Sequence, residues 1–172
     1  MTLLTKSEIN KFRGMIGKRQ YTDVLTFGQK LLKKDESDGA GIRYGVLSAC
    51  AVLGNVAVAE NITKCSVFFG EGREMPGDTW LDEVESGMAY TLAMTYWKVE
   101  EYDKAKRALR NINDDALKQF IELDEKGLAG GKSSVAFGYF LSDINELFAC
   151  VDMDWSEMQE FNRWIRKMLI EQ

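Results

Sequence analysis

Residues 87–109, GMAYTLAMTYWKVEEYDKAKRAL, carry the clearest hydrophobic pattern in the chain. They read as two amphipathic helices joined by a tight turn at 99–101. The same 3.6-residue spacing recurs elsewhere. Thr5 and Glu8 form a capping box ahead of a helix carrying Ile9, Phe12 and Ile16, which frays at 17–20. A second helix, about 21–34, has Val24, Leu25, Phe27, Leu31 and Leu32 on its apolar face. A third, about 42–53, is studded with Gly45, Ser48, Ala49 and Ala51. Small side chains let helix backbones approach closely, so this helix is expected at the centre. Gly54 and Asn55 signal a turn into a fourth helix, about 56–69. A Gly- and Pro-containing loop at 70–79 precedes a fifth helix, about 80–99, and a sixth, about 102–112. Asn113 or Asp114 caps a seventh that ends near 126. An eighth is expected at about 133–151, after the flexible stretch 127–132. Asp154 and Glu157 make a second capping box for a last helix with the stripe Trp155, Met158, Phe161, Ile165 and Met168. No stretch alternates with period two, so the expected class is all-α.

Three segments share one order: a turn, an aromatic residue or Val, polar residues, then a small or β-branched residue. They begin at Tyr21, Val56 and Tyr102, 35 and then 46 positions apart. The first spacing is close to the 34-residue period of tetratricopeptide repeats, and the second exceeds it by about the length of the 70–79 loop. Residues 87–109 resemble one such repeat. Leu92, Ala93 and Tyr96 match its first helix, and Ala105 its second, with Leu109 in place of a phenylalanine. Ala89 stands where the family has tryptophan, and the closing proline is absent. Segment 42–68 keeps Ala59 but has Leu47 at a small position, and segment 6–33 puts bulky Phe12 there. The resemblance covers the first two-thirds of the chain. It implies a single helical domain, 1–172. Residues 5–112 would form three degenerate antiparallel helix pairs in a superhelix, and 113–172 would supply capping helices. It also implies a concave, partner-binding groove lined by the first helix of each pair. The groove positions are Ile9, Arg13 and Ile16, then Tyr44, Ser48 and Ala51, then Tyr90, Met94, Trp97 and Lys98. The residues expected to contact a partner are Arg13, Tyr44, Ser48, Tyr90, Met94, Trp97 and Lys98. The competing reading makes Tyr90, Met94 and Trp97 core residues beneath the C-terminal helices. Leu92, Ala93, Tyr96 and Ala105 are expected inside the stack.

Composition narrows the function classes. Hydrophobic residues are 45% and charged residues 28%, which is ordinary globular usage. The net charge of −5 disfavours phosphate backbones and suits a basic protein partner. Cys50, Cys65 and Cys150 form no CxxC and read as reduced thiols of a cytoplasmic protein. No apolar run is long enough to span a bilayer, and the N-terminus has no signal-peptide pattern.

The sequence has no histidine, which removes Ser-His and Cys-His nucleophile pairs and nearly all common zinc sites. Residues 127–133, GLAGGKS, miss the first glycine of a phosphate loop, where Lys126 stands, and follow a helix instead of a strand. Asp152 and Asp154 lack the remaining ligands of a calcium loop. Glu83, Glu85, Glu100, Glu101 and Asp103 read as a solvated face. No cofactor or metal is expected. The expected function is a non-catalytic protein-binding module, either an adaptor or chaperone, or an immunity protein that neutralises a toxin. The alternative is a histidine-free enzyme that works with carboxylates alone. The last helix could fill the groove of its own chain or that of a second copy, making a homodimer. The 70–79 loop, with Arg73 and Glu74, is a third candidate for contacts.

Overall fold

The computed structural model describes residues 4–67, 77–125, 151, 153 and 155–170. Every regular element among them is helical. In chain order they are α1 (Lys6–Gly17), α2 (Tyr21–Lys34), α3 (Ile42–Leu53), α4 (Val56–Val67), a 3-10 turn (Thr79–Glu83), α5 (Ser86–Lys98), α6 (Tyr102–Leu109), α7 (Asp114–Glu125) and α8 (Trp155–Ile170). The expected helix at 133–151, the Asp154 cap and the stretches 68–76 and 126–132 fall wholly or mainly outside the described residues.

Local chemistry sets the helix starts. The Thr5 hydroxyl accepts from the Glu8 N–H, and the Glu8 carboxylate accepts from the Thr5 N–H, a complete capping box. Asp38 caps α3 by accepting from the backbone N–H groups of Ile42 and Arg43. Asn55 caps α4 and Asn113 caps α7 in the same way. Gly54 ends α3 in the left-handed conformation, φ 70°, where a Cβ would be strained.

α3 is the central helix. It packs against α2, α4 and α5, and its small residues let it do so. Phe12 of α1 lies where the repeat pattern wants a small residue. Two glycines make room for its ring. A Cβ at Gly45 would stand 2.8 Å from the Phe12 ring and 2.7 Å from Ile16, and one at Gly28 would meet Phe12 and Val46.

The fifth expected helix is shorter than the periodicity predicts. Trp80, Leu81 and Val84 share a helical face in the sequence, but Val84 and Glu85 are extended, and α5 starts only at Ser86. The separate turn buries Trp80, Leu81 and Val84. It is tied down by α6 and the residues just beyond. Arg107 forms a two-pronged ion pair with Asp82, at 2.7 and 2.6 Å, and the Asn111 amide donates to the Leu81 carbonyl at 2.7 Å.

The residues expected inside the stack, Leu92, Ala93, Tyr96 and Ala105, are all buried. So are Val24, Ala59 and Ala105, the small or β-branched residues of the three related segments. The Tyr96 hydroxyl donates to Glu60 of α4 at 2.9 Å. Glu60 also accepts from Lys64 and pairs with Lys104 of α6. This knot joins α4, α5 and α6. Partial burial pushes Glu60 upward, but Tyr96, Lys64 and Lys104 outweigh it and hold its pKa below the usual carboxylate value. Burial, with help from Glu60, raises that of Tyr96.

Candidate protein-binding surfaces

The expected groove residues separate into two groups. Ser48, Tyr90 and Met94 are buried. Arg13 and Lys98 are exposed, and Tyr44 and Trp97 are half-buried. In this arrangement Ser48, Tyr90 and Met94 pack in the core, which for Tyr90 and Met94 is the placement of the competing reading. For Tyr90 the physical reason is α8. Its Asn162 accepts from the Tyr90 hydroxyl at 2.6 Å. Phe161 of α8 and Phe120 of α7 meet the Tyr90 ring edge-on, with centroids 5.2 and 5.0 Å away. Met158, Phe161 and Ile165, the stripe expected on the last helix, are buried, and Met168 is half-buried. The side chain of Trp155 lies outside the described residues. Seating the helix on its own chain is the intramolecular one of the two arrangements open to it.

An aromatic edge remains on the surface beside this seam. Trp97 lies 5.5 Å from Phe161, Phe161 stacks on Trp164 at 5.7 Å, and Tyr102 lies 6.0 Å from Trp164. Trp97 and Trp164 are half-buried, while Tyr102 is 43% and neighbouring Val99 40% exposed. The α3–α4 turn adjoins it, since a Cβ at Gly54 would lie 3.2 Å from Val99. Leu53, 44% exposed, sits on that turn. Lys98, Glu100 and Asp103 are exposed around the edge. Large aromatic rings with polar tips, partly exposed and rimmed by charge, are what protein interfaces favour. Tyr102 and Trp164 were not among the expected contacts. Tyr102 was legible as the marker of the third segment. Trp164 stands three residues after Phe161, on the flank of the last helix's stripe.

A second apolar surface lies between α2 and α4. It is an open groove of about 850 Å3, with Leu32 from α2 and Val58 and Ile62 from α4 among its walls. Val58 and Ile62 are four apart, so they share one face of α4. Arg43 of α3 and Ser66 of α4 line it as well, and the Arg43 guanidinium donates to the Ser66 hydroxyl at 2.8 Å.

The perturbed groups have structural explanations. Glu8 is held at about 2 by Lys34, and further by Thr5, which ties α1 to the end of α2. Arg107 lowers Asp82. Burial pushes the Cys50 thiol up to about 12, which makes it a poor nucleophile at neutral pH. Among the described residues no group of three or more acidic or Cys side chains is placed to hold a metal, and no helix is long and apolar enough to cross a membrane. The acidic residues at 83, 85, 100, 101 and 103 are all exposed. The positions of Arg73, Glu74 and Cys150 lie outside the described residues.

Comparison with protein-family models, curated proteins and solved structures finds no match to this chain.

Proposed function

We propose that this protein is a non-catalytic protein-binding module, built on three degenerate tetratricopeptide-like helix pairs and closed by its C-terminal helices. It serves in the cytoplasm as an adaptor or chaperone, or as an immunity protein that neutralises a toxin. The aromatic edge of Trp97, Tyr102 and Trp164 carries the proposal. It is anchored from below by buried Phe161, so its rings are held in place before a partner arrives, and less entropy is lost on binding. The pairwise order of α1 to α6 supports the repeat reading, as does the placement of α3 between α2 and α5. The chain's net charge of −5, with exposed Glu100 and Asp103 beside the edge, favours a basic partner.

Affinity capture from the source cell tests this, with the native chain beside a Tyr102→Ala/Trp164→Ala variant. One protein is expected in stoichiometric amount on the native chain. Its affinity should fall by about 2 kcal/mol or more on the variant, the scale of an interface hot spot, while the circular dichroism stays native. Capture of a toxin would assign the immunity role, and capture of a secreted substrate the chaperone role. Undiminished binding by a folded variant would overturn the edge as the site. A hydrolytic activity abolished by a single Glu→Gln change would overturn the non-catalytic reading.

A further inference from the structure

We propose that the groove between α2 and α4 is a binding site for a small amphiphile with one anionic head, of the class of medium-chain alkyl carboxylates. This goes beyond the protein-binding reading and does not depend on it. The groove's volume of about 850 Å3 suits a small ligand. Its lining residues on α4 run from Ala57 to Ser66, roughly 14 Å of helix at 1.5 Å per residue. Leu32, Val58 and Ile62 are half-buried apolar side chains that an alkyl chain would take out of water.

The head group is chosen by Arg43. This guanidinium is fixed from two sides. Its Nε donates to Asp38 at 2.8 Å and one Nη to Ser66 at 2.8 Å. The side chain is only 27% exposed. Among the described residues its hydrogen-bond partners are Asp38 and Ser66, which leave further N–H groups on its planar fork, and an immobilised guanidinium is suited to a carboxylate. Asp38 does not cancel it outright. That carboxylate also accepts the first N–H groups of α3, at 2.6 and 2.9 Å, and so answers the positive end of the helix. Lys33 and Glu36 line the groove too. Both are exposed, and in water their opposite charges largely offset each other. Asp38 pairs with Arg43 in turn, so the choice of an anion rests on hydrogen bonding to the guanidinium fork and not on net charge. A neutral head offers those N–H groups a weaker acceptor, and a cationic one offers none.

Cys65 supplies the readout, because it is exposed and lines the groove. The intact chain is alkylated with iodoacetamide, and modification at Cys65 is followed by peptide mass spectrometry. Decanoate, kept below its micelle concentration, is expected to slow alkylation about tenfold, as a ligand at ten times its dissociation constant would. Decanol and decyltrimethylammonium at equal concentration should leave the rate unchanged. Arg43→Gln should weaken decanoate protection about tenfold or more, the cost of a charge-assisted hydrogen bond. Lys33→Gln, at an exposed position, should weaken it about twofold. No protection by decanoate overturns the proposal. Equal protection by the alcohol or the ammonium compound overturns the anionic head. Should Arg43→Gln lose its helical circular dichroism, Ala57→Glu decides, because it sets a carboxylate on the groove wall at an exposed position, and unchanged decanoate protection in it counts against the site.

Discussion

The face of α5 and the groove between α2 and α4 are both apolar stripes at helical spacing, and they have opposite fates. Tyr90 and Met94 on α5 are buried, with α8 laid over the Tyr90 side of the helix. Leu32, Val58 and Ile62 stay half-exposed beside an open groove. The difference does not lie in the stripes. It lies in whether another element among the described residues carries a complementary one. Phe161 and Asn162 give α8 an aromatic ring and an amide acceptor that suit Tyr90. A hydroxyl-bearing ring in a core needs such a partner, because an unmade buried hydrogen bond costs about 1–3 kcal/mol.

The largest effect is expected from stripping the covered face. Phe161→Ala should cost about 3–5 kcal/mol in urea unfolding, against about 1 kcal/mol for Ile62→Ala in the open groove. Similar costs for the two would erase the contrast. Next comes Gly45→Ala. Its methyl would press on Phe12 and Ile16 at under 3 Å, and the same measurement should give about 1–3 kcal/mol of destabilisation. A tolerated alanine would mean that Phe12 can move aside. Tyr90→Phe keeps the ring and removes only the donor to Asn162. A loss of about 1 kcal/mol is expected, with little change in unfolding cooperativity.

The smallest effects are the surface ion pairs. Glu8, Glu60 and Asp82 all have lowered folded pKa values. A lowered carboxylate adds stability above its unfolded pKa and loses it as pH falls through the folded one. For Glu8 that window runs from 4.5 down to about 2. The melting temperature should therefore drop in this range, and Glu8→Gln should flatten part of the drop. An identical acid profile in that variant would remove the Glu8–Lys34 pair from the account.

Much of the fold was legible because its signals are local. The Thr5–Glu8 box, the Gly54–Asn55 turn, the Asn113 cap and the small residues of α3 each sit within a few positions of the feature they cause. Two features were not. The turn at Thr79–Glu83 imitates a helix start, since Trp80, Leu81 and Val84 keep helical spacing. What separates it from α5 is a set of tethers from residues some 25–30 positions away, Arg107 and Asn111. The candidate surface was legible only in part. Arg13, Tyr44, Trp97 and Lys98 keep some surface, whereas Ser48, Tyr90 and Met94 do not. Whether a stripe such as Tyr90–Met94–Trp97 meets solvent depends on Phe120 and Phe161, which one helix's own period cannot reveal.

Native-state hydrogen exchange tests most directly whether α8 is part of the core, since it reports the opening energy of each helix separately. Amides in the middle of α8 are expected to open only with those of α5, with free energies agreeing within about 1 kcal/mol. If the α8 amides exchange about a hundredfold faster than those of α5, a gap of about 2.7 kcal/mol, the helix opens on its own. Tyr90 and Met94 would then belong to a surface that α8 only guards.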